Sequence, residues 1–95
     1  MYRILVVEDE KRVAELLKKG LEESGYAVEL ASDGIKGLTL FASFSFDFVI
    51  SDILMPKMDG LTFCKKIRQI NPSVPILMLT ALGTTDNKLE GFDAG

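Results

Sequence analysis

Three short, uninterrupted apolar runs limit what this chain can fold into: Ile4-Leu5-Val6-Val7, Phe48-Val49-Ile50 and Ile76-Leu77-Met78-Leu79. Each is too brief for a buried helix and offers no polar residue to solvent, which is the pattern of a strand covered on both faces. Between the runs, apolar residues recur at helical spacing: Val13, Leu16, Leu17 and Leu21, then Ile35, Leu38, Phe41 and Ala42, then Phe63, Cys64, Ile67 and Ile70. Tyr26–Ala31 alternates instead, with Val28 and Leu30 set against Glu29, as expected of a half-exposed edge strand. A short last helix is expected after Gly83-Thr84-Thr85-Asp86, with Leu89, Phe92 and Ala94 inward. Strands that alternate with helices through short connections imply a parallel sheet with right-handed crossovers.

The punctuation agrees. Asp9 is an expected N-cap for the first helix and Gly25 its stop. Ser32-Asp33-Gly34 opens the second helix, and Asp59-Gly60 the third, which Asn71-Pro72 closes. The whole is one domain: 95 residues suffice for a single core, and no repeat or linker interrupts them.

Composition narrows the function. A net charge of −3, with basic residues scattered, leaves no footprint for nucleic acid or an anionic membrane. Lys18-Lys19 and Lys65-Lys66 are read as solvated helix faces. No apolar run approaches the roughly 18–20 residues of a membrane span. A strand starting almost at the first residue leaves no room for a signal peptide, so a cytoplasmic location is expected. The single cysteine, Cys64, lies on an apolar helical stripe and is read as a core residue. With no histidine, imidazole bases and most zinc sites are excluded.

What chemistry remains lies at strand ends. Glu8 and Asp9 follow the first strand, Asp52 the third and Thr80 the fourth. In a doubly wound sheet of order 2-1-3-4 those strands are neighbours, and their C-terminal tips meet beside the topological switch point, where ligands bind. Three converging carboxylates repel one another, and a hard divalent cation relieves this. Oxygen-only ligands favour Mg2+ over softer metals. An Asp beside Mg2+ can attack a phosphoryl group, and Thr80 could hydrogen-bond a phosphoryl oxygen. The alternative for each is structural: a strand-end cap for Asp52, helix capping for Glu8 and Asp9, an ordinary strand-end hydroxyl for Thr80.

ILVVEDE at Ile4–Glu10, SDILMPKMDG at Ser51–Gly60, VPILMLTA at Val74–Ala81 and GFDAG at Gly91–Gly95 together resemble the receiver domain of two-component response regulators. The likeness is greatest to receivers that precede a winged-helix DNA-binding domain. The resemblance implies a flavodoxin-like α/β fold with Asp52 as phosphoacceptor. It implies Mg2+ held by Glu8, Asp9, Asp52 and the backbone carbonyl of Leu54, with Asp9 nearer the metal than Glu8. Thr80 becomes the switch hydroxyl and Ala81 the small neighbour that leaves room for a phosphoryl group. The implied partners are a sensor histidine kinase and, in a parent protein, a C-terminal DNA-binding output domain. Such a domain assists its own phosphorylation and dephosphorylation and is not an enzyme in the usual sense.

One departure stands out. The family's fifth strand carries a lysine that pairs with the phosphoryl group, as well as an aromatic switch residue, and a helix follows. The present sequence stops short of these, and Lys88 cannot substitute. It therefore resembles a receiver cut short. Its fourth strand is then expected to be an edge prone to self-association, since only Pro75 guards it. A binding or dimerisation module on the same fold is the main alternative. A haloacid-dehalogenase-like phosphatase would need a second Asp where Leu54 stands. A flavin-binding flavodoxin would not place Glu8-Asp9-Glu10 in its phosphate loop.

Overall fold

A computed structural model describes residues 2–53 and 57–79. The elements run β1 (Arg3–Val7), α1 (Lys11–Glu23), β2 (Ala27–Ala31), α2 (Gly34–Ser43), β3 (Phe48–Asp52), α3 (Gly60–Ile70) and β4 (Ile76–Leu79). The strands form one parallel sheet of order β2-β1-β3-β4. The expected last helix, with Leu89, Phe92 and Ala94, lies outside the described residues, as do Leu54, Thr80 and Ala81.

The apolar runs are strands because both sides of the sheet are covered. Leu5, Val7, Val49 and Met78 face α2 and α3 and pack with Phe41, Phe63 and Ile67. Ile4, Val6, Val28 and Ile50 face the other way, against Leu17, Leu21 and Tyr26. Alternating β2 is an edge strand, as its pattern requires, with Val28 buried and Glu29 exposed. At the other end of the four-strand order, β4 buries Ile76 and Met78 but leaves Leu77 and Leu79 half-buried. Cys64 is buried on the core stripe of α3, as read from its spacing.

Helix ends follow the local chemistry. The carboxylates of Asp33 and Asp59 accept the backbone N–H of Lys36 and Thr62, each at 2.8 Å, and so cap α2 and α3. Helix α1 stops at a left-handed glycine, Gly25 at φ 96°, with Gly25 N–H donating to Glu22 and Tyr26 N–H to Leu21. That is a Schellman arrangement.

Four expectations from capping and periodicity need correction. Asp9 does not cap α1: the N-cap is Glu10, without a side-chain cap bond, and its N–H donates to Glu8 Oε2 at 2.9 Å. The side chain of Glu8 has taken over the role of local acceptor. In α1, Val13 faces out and the buried residue is Ala14; Leu16 is 71% exposed, as expected of a face that the family's last helix would cover. The second helix buries Gly34, Gly37 and Phe41 and exposes Ile35 and Ala42. Here backbone proximity decides, because a Cβ on Gly37 would stand 2.8 Å from Val7 Cγ2 and 2.9 Å from Phe63 Cε1. Ile70 is exposed at the end of α3, beyond the reach of the sheet.

Candidate phosphoacceptor and metal site

Asp52 is the last residue of β3 and is 1% exposed. Ladder bonds continue past it, with Ile53 N–H donating to the Leu79 carbonyl at 2.7 Å. One strand over, Glu8 follows β1 and is held by its N–H bond to the Ala31 carbonyl at 3.0 Å. Glu8 is buried and Asp9 exposed. One carboxylate oxygen from each of Glu8, Asp9 and Asp52 lies within 4.8 Å of the others. The parallel register Val7↔Ser51 brings them together, since it sets both strand ends at the same height.

The electrostatics are those of acids sharing a small space. Glu8 is pushed up to about 7 from an ordinary value near 4.5, chiefly by burial. The Glu10 N–H works against that rise; the Asp52 charge and hydrogen bonds with Asp9 and Asp52 add to it. A proton thus helps hold the cluster together. A divalent cation would do the same with more charge. The donor set, three carboxylates without nitrogen or sulfur, fits Mg2+ or another hard cation.

Among the described residues, little outside this cluster offers competing chemistry. A cavity of about 550 Å3 is lined by Tyr2, Ile4, Leu21, Tyr26, Phe48 and Leu77, on the α1 side of the sheet. Its lining is mainly apolar apart from Asp47, and it includes none of Glu8, Asp9 or Asp52. The convergence of three carboxylates selects the strand tips instead.

The matching family model is the response regulator receiver domain, over residues 4–95. The chain belongs to the response regulator receiver family. Among curated relatives of this receiver, the response regulator MprA of Mycobacterium sp. strain KMS is 44% identical over 93 residues, covering 98% of the chain and 40% of the relative. The DNA-binding dual master transcriptional regulator RpaA of Synechocystis is 41% identical over 97 residues, 100% of the chain and again 40% of the relative. The receiver sequence therefore spans about two fifths of the length of these relatives. Among solved structures, the response regulator TrrA of Thermotoga maritima, in complex with Mg2+-BeF, superposes with a TM-score of 0.83 at 40% identity over 98% of the chain and 83% of its own. The chemotaxis protein CheY4 of Vibrio cholerae gives 0.85 at 36% identity, over 100% of the chain and 81% of its own. These neighbours confirm the flavodoxin-like parallel architecture.

Of the residues singled out in the sequence, the structure brings Glu8, Asp9 and Asp52 together; Leu54 and Thr80 lie outside the described residues. Sequence reasoning missed how closely Gly60 approaches the site. A Cβ there would meet the Asp52 carbonyl oxygen and stand 2.7 Å from both Ile53 Cα and Met78 Cε. The turn signal Asp59-Gly60 was the available clue, but it speaks of turn geometry and not of what the turn touches.

Proposed function

We propose that this receiver accepts a phosphoryl group on Asp52 from a phosphohistidine of a sensor kinase. The observation that carries the proposal is the meeting of Glu8, Asp9 and Asp52 at the tips of adjacent strands. An Asp52 carboxylate oxygen attacks phosphorus, the P–N bond breaks, and the departing imidazole keeps the electron pair and takes up a proton. Burial of Asp52 holds its carboxylate in one orientation for that attack. Glu8, Asp9, Asp52 and the Leu54 carbonyl would hold Mg2+, which supplies charge neutralisation for the phosphoryl oxygens. Ala81 leaves space for the group, and Thr80 donates to one of its oxygens. Replacing a carboxylate charge of about −1 by about −2 then draws Thr80 inward and repacks its neighbours.

In a longer parent protein the signal passes to a C-terminal DNA-binding domain, a reading supported by the name of one relative, the DNA-binding regulator RpaA. The receiver itself binds neither nucleic acid nor membrane, and no helix among the described residues is long and apolar enough to cross one. Residues 1–95 act as one signalling unit in the cytoplasm. A polypeptide of these residues self-associates through β4.

The test is labelling with acetyl phosphate in Mg2+, followed by intact mass. A single acid-stable, base-labile phosphoryl adduct is expected, absent in Asp52→Asn and in EDTA. Labelling that survives Asp52→Asn overturns the assignment. Titrating Mg2+ against backbone amide shifts should move residues 8–10 and 51–53, with affinity near about 1 mM as for open, solvated oxygen sites.

A further inference from the structure

We propose that Lys57 and Asp33 form a positioning pair that fixes residues 57–60 at the head of α3, and through them the geometry of cation binding and phosphoryl transfer at Asp52. Lys57 Nζ lies 3.6 Å from Asp33 Oδ2. The Asp33 side chain is only 5% exposed, so its charge needs partners. Oδ1 is occupied by the Lys36 N–H, and the cations facing the carboxylate are Lys57 and Lys36. Together, the Lys36 N–H first, they hold Asp33 below its ordinary value.

Independent contacts place the same segment. Among the described residues Lys57 is the one non-glycine with positive φ, at 71°. Such a conformation costs about 1 kcal/mol or more in a side-chain-bearing residue and persists where surroundings impose it. Met58 is the next anchor: a Cβ on Gly34 would stand 3.0 Å from its Sδ, so its side chain rests on the first turn of α2. Gly60 is the last, its N–H donating to the Ile53 carbonyl at 2.7 Å. Residues 57–60 thus bridge α2 to the end of β3. Displacing the Lys57 end moves Gly60 against Ile53 and the Asp52 carbonyl.

The inference rests on the phosphoacceptor reading of Asp52, and the experiment separates the two. Wild type, Lys57→Met, Lys57→Arg, Asp33→Asn and the double Lys57→Met/Asp33→Asn are compared in the full chain. Asn at 33 keeps an oxygen for the Lys36 N–H and removes only the charge. The measurements are the Mg2+ dissociation constant from amide shifts, the acetyl phosphate labelling rate, and the thermal midpoint. Lys57→Met and Asp33→Asn should each weaken Mg2+ binding and slow labelling by about threefold, the scale of a half-exposed ion pair. The double variant should be no worse than either single, and Lys57→Arg should restore wild-type behaviour.

The sign is decisive. If the two charges acted only through the long-range field, losing a cation would tighten Mg2+ binding while losing an anion would weaken it. Opposite signs therefore overturn the positioning pair. So do additive effects, or a changed thermal midpoint with an unchanged Mg2+ constant and labelling rate. A wild type that neither binds Mg2+ nor takes label overturns the phosphoacceptor reading itself, and the pair with it.

Discussion

Gly60, the first residue of α3, lies directly against the carbonyl of Asp52, with no room between them for a methyl group. Helix α3 therefore starts on top of the strand end that carries the proposed phosphoacceptor. A residue that looks like turn punctuation is a packing element of the site.

Gly60→Ala should accordingly destabilise the fold by about 1–3 kcal/mol, because the atoms it meets include main chain that cannot rotate away. The backbone of Ile53, with its Cα at 2.7 Å from the added methyl, has to shift. Urea denaturation gives the stability change, and amide shifts of Ser51–Ile53 report the displacement. A wild-type midpoint would show that α3 slides without cost.

Two large apolar residues at helical spacing should respond differently to substitution. Ile67 is 0% exposed in the core beneath α3, and Ile67→Ala should cost about 2–5 kcal/mol. Leu16 is 71% exposed, and Leu16→Glu should stay within about 0.5 kcal/mol. Paired denaturation curves check this. A large loss at Leu16 would mean that another surface covers it in solution.

Asp33 gives a pH signature. Its carboxyl is held below the ordinary 3.8 first by the Lys36 N–H, so the ionised form is favoured in the folded state. Its contribution is present above the unfolded value and lost as pH falls through the folded one. The stability difference between wild type and Asp33→Ala should be about 1 kcal/mol at pH 7, as for an N-cap, and shrink below pH 4. A difference constant from pH 7 to pH 3 would show that the carboxylate charge contributes nothing.

A polypeptide of residues 1–95 should self-associate. β4 stands at the end of the described sheet order, and Ile76-Leu77-Met78-Leu79 contains no charge or proline to discourage pairing. Sedimentation at increasing concentration should show dimers or larger species, and Leu77→Lys should reduce them. A monomer at about 100 μM, well within the range where exposed strand edges associate, would refute it.

Much was legible in the sequence because it depends on local periodicity. Continuous apolar runs specify strands covered on both faces, and alternation marked Tyr26–Ala31 as the edge, which β2 is. Acidic residues after β1 and β3 were visible as strand-end groups, and Asp33 and Asp59 as caps. Each of these signals lies within a few residues of what it determines, and strand adjacency in a doubly wound sheet does the rest.

Only the tertiary structure decided which side of each helix turns inward, and how near the backbones come. Hydrophobicity favoured Ile35 and Val13, yet Gly37 lies against Val7 of the sheet and Ala14 is the buried residue of α1; at Gly37 the absence of a side chain lets the helix approach where a large residue would hold it off. The shift of the α1 N-cap from Asp9 to Glu10 likewise goes with a contact to a neighbouring side chain, since Glu10 N–H donates to Glu8 Oε2. The contacts of Lys57 with Asp33, and of Gly60 with Asp52, join segments with no shared periodicity. A sequence carries residue types and their spacing; distances between segments exist only once the chain has folded.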